Sequence, residues 1–167
     1  FPDNEQGDGV SLHGSGSALF EAGVMFSGSI NQVSDAIRNV ASVDKDFRVV
    51  VPVYEDFQDQ RADMVVKGVF DDMSAASPMG IEVTQEVFGW SRVERRNFLI
   101  LQYIVENQGQ NNLLGVYASM FADWDITTSL VNRNAANYNQ QLSLAFTEDL
   151  SGFNPNKYGV AVLSEDG

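Results

Sequence analysis

The chain has no cysteine among its 167 residues. That absence excludes disulfide bonds, thiolate nucleophiles and sulfur-ligated zinc. The single histidine, His13, lies in a glycine- and serine-rich segment that has no G-x-S-x-G elbow beside it, so a Ser-His-Asp triad is not expected. With one histidine, a zinc site would need mostly carboxylate ligands, which is an unusual ligand set for zinc. We therefore expect no transition-metal cofactor and no enzyme activity.

Basic residues are few, because 10 Lys and Arg stand against 23 Asp and Glu, for a formal charge of -13. Such a surface repels a phosphate backbone unless its basic side chains are segregated. The densest basic group, formed by Arg92, Arg95 and Arg96, is interrupted by Glu94. We expect a solvated turn there and no nucleic-acid partner.

Long apolar runs are also lacking. No run approaches the roughly 20 residues that a membrane-spanning helix needs, and no cationic segment leads into an apolar signal sequence. We therefore expect no membrane span. The sequence starts at Phe1 rather than at methionine, which suggests a processed or excised piece of a longer chain, with any export signal outside it.

What the sequence does contain is typical of a globular protein: 44% hydrophobic residues, including 11 Phe, 5 Tyr and 2 Trp. A chain of this size can bury about two thirds of its unfolded surface in one core. Residues 1–17 are rich in Gly, Asp and Ser, which predicts a loop or N-terminal arm. Residues 18–167 are predicted to form a single domain.

Short apolar runs separated by turn residues predict eight strands. They lie at 18–27, 47–54, 63–70, 81–90, 97–107, 113–125, 141–146 and 158–163. This spacing favours an all-β fold, an antiparallel β-sandwich of jelly-roll or supersandwich-like type. Residues 30–40 are the exception, because Ile30, Val33, Ile37 and Val40 fall at helical spacing and allow one short helix. We favour a strand there, as the return limb of a hairpin.

The run at 97–107 has apolar side chains on both of its faces. This pattern predicts a central strand that is covered on two sides, with no room there for a reaction centre. Its expected partner is the run at 113–125, joined through a turn at 108–112. The run at 81–90 alternates, with Glu82, Thr84 and Glu86 on one side, so that side is expected to meet water.

Five segments together carry a resemblance to a known family. They are LFEAGVM at 19–25, VSDAIR at 33–38, IEVTQEV at 81–87, NFLILQYIVEN at 97–107 and GVYASMFADWDI at 115–126. Their order resembles a β-rich accessory module of large secreted proteins of Bacteroidetes and related bacteria. In those proteins the module often occurs beside subtilisin-like peptidase domains and type IX sorting domains. The resemblance implies an all-β fold and a secreted or cell-surface location, and it transfers no catalytic residues.

Two acids bracket a tryptophan at the end of a predicted strand, in Asp123, Trp124 and Asp125. Strand alternation places both acids on one side, where they are candidate ligands for calcium, a cation that binds oxygen. The competing interpretation, which we favour, is a strand end whose acids cap the following turn. The polar loop that follows supplies further candidate ligand-binding residues, Asn132, Asn134 and Asn137. The acid pairs Asp71-Asp72 and Asp44-x-Asp46 could also supply oxygen ligands to a cation. None of the three pairs fits an EF-hand loop.

The aromatic residues allow a platform on which a sugar ring stacks, built from Trp90, Trp124, Tyr54, Tyr117 and Tyr138. We favour the alternative that most of them fill the core, with Trp124 as the exception.

We therefore expect a non-catalytic accessory or structural module of a secreted or cell-surface multidomain protein, whose partners are neighbouring domains of the same polypeptide. The alternative is a carbohydrate- or calcium-binding module with its site near Asp123, Trp124 and Asp125. A small hydrolase is retained as a third, minor alternative.

Overall fold

The computed structural model describes residues 10, 18–37, 46–126, 134–152 and 154–163. These residues form ten β-strands and no helix, which confirms the all-β prediction. In chain order the strands are β1 Leu19–Ser29, β2 Gln32–Asp35, β3 Arg48–Glu55, β4 Met64–Asp71, β5 Ile81–Gly89, β6 Leu99–Asn107, β7 Tyr117–Trp124, β8 Asn134–Asn139, β9 Leu144–Asp149 and β10 Lys157–Ala161. Within the described ranges there is no helix suited to cross a membrane.

All eight predicted strands are present, and two further strands are added to them. The segment at 30–40 contains β2, which pairs antiparallel with β1, so the strand is confirmed over Gln32–Asp35; residues 38–40 lie outside the described residues. The second addition is β8, in a segment that the sequence indicated as a loop. Asparagine and alanine disfavour strands, but pairing with β9 holds this segment extended.

The strands form three antiparallel sheets with orders β3-β4-β5-β6, β2-β1-β7 and β10-β9-β8. By its internal contacts the chain divides into two compact units. The first unit holds the described residues between Val24 and Ser119, including the four-stranded sheet. The second unit holds the described residues up to Gly23 and from Met120 onward, including the sheet of β8, β9 and β10. The predicted arm and single domain stay predictions.

The core of the first unit lies around β4 and β5. Phe70 and Val83 are fully buried, and Val65 and Ile81 are each 1% exposed. Phe47 joins the β1–β2 hairpin to this core, because its ring lies edge-on to Phe26 at 6.3 Å and to Phe70 at 4.9 Å. Edge-to-face contacts at these distances are favourable for aromatic rings.

The predicted central strand is in fact an edge strand. β6 pairs with β5 along its whole length and is the last strand of its sheet. Leu99 is 51% exposed and Ile104 is 46% exposed, so the prediction of a strand covered on two sides is wrong. The predicted hairpin with 113–125 is also wrong, because β7 joins the sheet of β1 and β2.

The buried central strand is β5, which has β4 on one side and β6 on the other. Its face with Glu82, Thr84 and Glu86 was expected to meet water. Glu86 is instead only 7% exposed, because cationic side chains from neighbouring segments cover it. That face is therefore partly buried, and the prediction for it was incorrect at Glu86.

Candidate functional site

The predicted acid-tryptophan-acid group lies at the end of β7, in the second unit. The backbone N–H of Asp125 donates to the carbonyl of Ala18 at 2.9 Å. The side-chain amide of Asn134 donates to the carbonyl of Trp124 at 3.0 Å. These two bonds hold the backbone of Trp124 and Asp125 at the strand end.

These residues line a shallow, open depression of about 480 Å³. Its lining consists of Phe20, Ala122, Asp123, Trp124, Asp125, Asn134, Ala136 and Thr147. The structure thus brings together four of the predicted site residues. Asn137 is not among them, since its side-chain amide donates to Glu148 Oε1 at 2.6 Å. Asn132 lies outside the described residues.

The Trp124 ring is half-buried and packs on Tyr158, with the ring centroids 5.3 Å apart and the planes 28° from parallel. A stacked partner of this kind restricts the rotation of the indole. Sequence reasoning did not single out Tyr158, because β10 is distant from β7 in the chain. Tyr158 is not in the lining, but its contact gives the Trp124 ring a defined orientation.

The wider aromatic platform is not formed as predicted. Trp90 packs against Phe98 in the first unit, at a centroid distance of 5.5 Å. Tyr54 is 48% exposed, Tyr117 76% and Tyr138 65%. The favoured expectation that most of these rings fill the core is therefore wrong, since all three tyrosines are exposed.

The charged side chains in the lining of the depression are Asp123 and Asp125, and both are acidic. Calcium takes 6 to 8 oxygen ligands, and the other polar residues of the lining are Asn134 and Thr147. The described residues contain no group of three or more acidic or histidine side chains suited to hold a metal ion. Calcium at Asp123 and Asp125 thus stays a prediction.

The other predicted acid pairs serve the fold. Both oxygens of the buried Asp72 accept hydrogen bonds, from the backbone N–H groups of Met79, Gly80 and Ile81 and from the Ser34 hydroxyl, at 2.6–3.0 Å. The neighbouring Asp71 accepts from Arg48 Nη2 at 2.6 Å on β3. Asp44 lies outside the described residues, and Asp46 accepts from the backbone N–H of Asp35 at 3.1 Å.

Sequence reasoning missed a group of charged residues on β4, β5 and the loop before β4. We call it the ion cluster; its members are Asp56, Asp59, Arg61, Lys67 and Glu86. Lys67 Nζ lies 2.8 Å from Asp56 and 2.9 Å from Asp59, and Arg61 Nη2 lies 2.6 Å from Asp59 and 2.8 Å from Glu86. A signal was present in the acids and bases that lie close together at 56–67, but the pairing depends on the register that sets Lys67 opposite Glu86.

The ion cluster shifts the titration of its members. The Arg61 guanidinium holds the pKa of both Asp59 and Glu86 below their ordinary values, and Lys67 does the same to the pKa of Asp56. The pKa of Lys67 is raised, first by Asp56 and then by Asp59. Each carboxylate is therefore stabilised in its charged form. Carboxylates in this state are poor general acids near neutral pH.

Comparison with known proteins gives no relative: no family model, curated protein or solved structure matches the chain. The resemblance to the secreted accessory module accordingly stays a prediction. Function has to follow from the geometry and charge of the described residues.

Proposed function

We propose that the chain is a non-catalytic accessory module of a secreted or cell-surface bacterial multidomain protein, where it packs against or spaces neighbouring domains. The observation that carries the proposal is an exposed apolar surface at one end of the β8-β9-β10 sheet. We call it the apolar end; its members are Leu142, Val162 and Leu163. Their exposed fractions are 61%, 72% and 74%.

A hydrogen bond connects the two segments of the apolar end. The backbone N–H of Val162 donates to the carbonyl of Ser143 at 3.3 Å, which sets Val162 beside the turn that carries Leu142. Apolar residues exposed singly are ordinary, whereas contiguous ones mark contact surfaces. Covering these side chains would remove apolar surface from water, so a neighbouring domain that packs on this end would stabilise it.

The acidic groups of the first unit support a structural role. The ion cluster pairs its three carboxylates with Arg61 and Lys67, and Asp72 uses both of its oxygens to hold the loop before β5. A general acid or base needs an accessible carboxyl group with a pKa near the working pH. The carboxylates of the ion cluster are shifted away from that range.

We also propose that the first unit has the layered arrangement of an antiparallel β-sandwich. Support comes from the Phe26, Phe47 and Phe70 contacts, which join the β1–β2 hairpin to the four-stranded sheet. Packing of two apolar sheet faces is the usual way in which antiparallel sheets bury a core.

Hydrogen-deuterium exchange tests the accessory role, with the chain alone compared to the chain within its longer parent polypeptide. We expect slower exchange at residues 142–144 and 160–163 in the longer protein. Val162→Ser should reduce that protection, whereas the control Leu150→Ser, at a residue 64% exposed in another turn of the same unit, should not. Equal exchange in both contexts would contradict the proposal. Turnover of a peptide, ester or glycoside substrate that disappears in Asp123→Asn would contradict the non-catalytic assignment.

A second candidate function is carbohydrate or calcium binding in the depression. It is favoured by the lining of the depression, which includes Trp124, whose ring is braced by Tyr158, together with Asp123 and Asp125. A braced aromatic face with nearby hydrogen-bond acceptors suits a sugar ring.

A glycan array tests the sugar, and melting temperatures with calcium and with a chelator test the cation, since a ligand of the native state alone raises apparent stability. Trp124→Ala should abolish glycan binding, and Tyr138→Ala serves as the control because Tyr138 is an exposed ring outside the lining. Calcium stabilisation should be lost in Asp125→Asn. No binding and no calcium effect would remove this candidate.

A further inference from the structure

β6 is an edge strand of a kind that folded proteins usually protect. It pairs with β5 through nine consecutive residue pairs without a register shift, so the strand is regular over its whole length. Among the described residues no strand pairs with its other side. A long, regular edge exposes a row of backbone N–H and C=O groups that can pair with another strand.

The opposite edge of the same sheet differs. β3 carries Pro52, and its pairing with β4 shifts register between Val49 and Val51 and again between Val51 and Tyr54. Proline and irregular pairing are common ways of preventing edge-to-edge association. β6 has the sequence LILQYIVEN and contains no proline, lysine or arginine. One edge of the sheet is thus blocked and the other is open.

The open edge is also apolar. Leu99 is 51% exposed, Leu101 42%, Ile104 46% and Val105 41%. From Leu99 to Val105 the strand contains no Asp, Glu, Lys or Arg, so its middle carries no charge at neutral pH. An uncharged apolar strand of high β propensity favours pairing with a second strand.

The two ends of β6 carry opposite charge. The turn that precedes the strand exposes three bases, Arg92, Arg95 and Arg96, against one acid, Glu94, so this end is basic on balance. At the other end Glu106 lies directly opposite Glu82 on β5. Like charges in directly opposed positions destabilise a sheet unless a cation lies against them, and the side-chain partner of Glu82 is the neutral amide of Gln108 at 3.5 Å.

We propose that β6 pairs antiparallel with β6 of a second copy of this chain, which extends the four-stranded sheet across a two-fold axis. In an antiparallel pair the first residues of one strand meet the last residues of the other. The arginine end of each copy then lies against the Glu82–Glu106 end of its partner, so the second copy supplies the cation that this acidic pair needs. A two-fold interface uses the same patch on both copies and closes the assembly at two chains.

A parallel pair would bring the arginine ends together, and a strand of unrelated sequence would not match both ends. The charge pattern therefore selects a second copy in one orientation. This surface belongs to the first unit and does not involve the apolar end proposed above, so either proposal stands or fails without the other.

Sedimentation equilibrium over a concentration series tests the dimer. We expect a species of twice the 18.4 kDa of one chain. Leu101→Lys places a charge on the edge and should give a monomer with an unchanged circular dichroism spectrum. The control Val50→Lys changes a residue that is 43% exposed on the blocked edge and should leave the dimer intact. A monomer at every concentration, or open-ended oligomers, would overturn the proposal.

Charge reversal tests the orientation. Arg96→Glu and Glu106→Lys should each raise the dimer dissociation constant about tenfold, because the two-fold axis repeats the lost pair. Mixing the two variants should restore association, since each acidic end then faces a basic one. A dimer that neither reversal weakens, or variants that do not associate when mixed, would show that another surface or orientation is used.

Discussion

Replacement of Asp72 by asparagine is the most informative perturbation of the first unit. The Asp72 side chain is fully buried, and all four of its hydrogen-bond partners are donors. Oδ1 accepts from the N–H groups of Gly80 and Ile81 at 3.0 Å each, and Oδ2 accepts from the Met79 N–H at 2.6 Å and from the Ser34 hydroxyl at 3.0 Å. Asparagine keeps one acceptor oxygen and turns the other into a donor group.

The size of the stability loss depends on the groups that the new side-chain NH₂ of asparagine would contact. In either orientation it faces two hydrogen-bond donors, of which at least one is a backbone N–H that cannot reorient. A hydrogen bond to a charged group contributes about 1.5–3 kcal/mol, and a buried donor left without an acceptor costs a further 1–3 kcal/mol, roughly. We expect Asp72→Asn to lower the free energy of unfolding by about 3–5 kcal/mol. A loss of this size is a large share of the stability of an ordinary domain.

Urea unfolding followed by circular dichroism measures this loss, and amide exchange at Met79, Gly80 and Ile81 locates it. Asp71→Asn is the matched control, because its partner Arg48 has a side chain that is 61% exposed and solvent screens that pair. The control should therefore lose clearly less stability. If Asp72→Asn and Asp71→Asn lowered stability equally, the donors around Asp72 would not be what holds the loop before β5.

Three further predictions concern the rest of the chain. Folding lowers the carboxyl pKa values in the ion cluster below their ordinary values of 3.8 for Asp and 4.5 for Glu. The stability that the cluster adds to the fold is therefore fully present above those values and is lost as the pH falls below them. The urea midpoint should therefore decline below about pH 4.5, and less steeply in Lys67→Met. Phe70→Ala removes a fully buried ring and should cost about 3–5 kcal/mol in urea unfolding, whereas Phe57→Ala, at 81% exposure, should change little. Gly159→Ala would bring a Cβ to 2.7 Å from the Phe146 Cβ, so we expect faster amide exchange across β9 and β10, and unchanged exchange would refute the close approach.

The positions of the strands could be predicted from the sequence because each depends on local pattern. Alternating apolar residues and turn residues gave eight of the ten described strands. β8 was missed because its sequence, NAANYN, has little strand propensity, and its extended form depends on β9. β2 showed helical spacing, yet its pairing with β1 and the burial of Ser34 beside Asp72 fix it as a strand.

The candidate site was predictable where its residues are close in sequence. Asp123, Trp124 and Asp125 follow one another at the end of β7, and they line one depression. Asn134 and Ala136 on β8 join them, while Asn137 falls on the other face because successive side chains in a strand alternate. The ion cluster was not predictable, since the pairing of Lys67 with Glu86 depends on the register of β4 against β5.

β6 was predicted to be the covered central strand, and β5 was predicted to have one face in water, but β5 is the buried strand and β6 is the edge. Both differences have the same physical cause. The acids of β5 suggested a strand face in water, but Arg61 and Lys67 cover Glu86 and bury it. The apolar residues of β6 suggested a covered centre, yet the strand lies at the edge with Leu99 and Ile104 about half exposed. The side chains of a strand indicate whether it has to be paired with a cation or covered by an apolar surface. They do not indicate which segment of the molecule provides the cation or the surface. For β5 the supplier is within the same sheet and its preceding loop. For β6 the described residues supply none. Because an apolar open edge associates readily, this is the requirement that the proposed pairing with a second copy would meet.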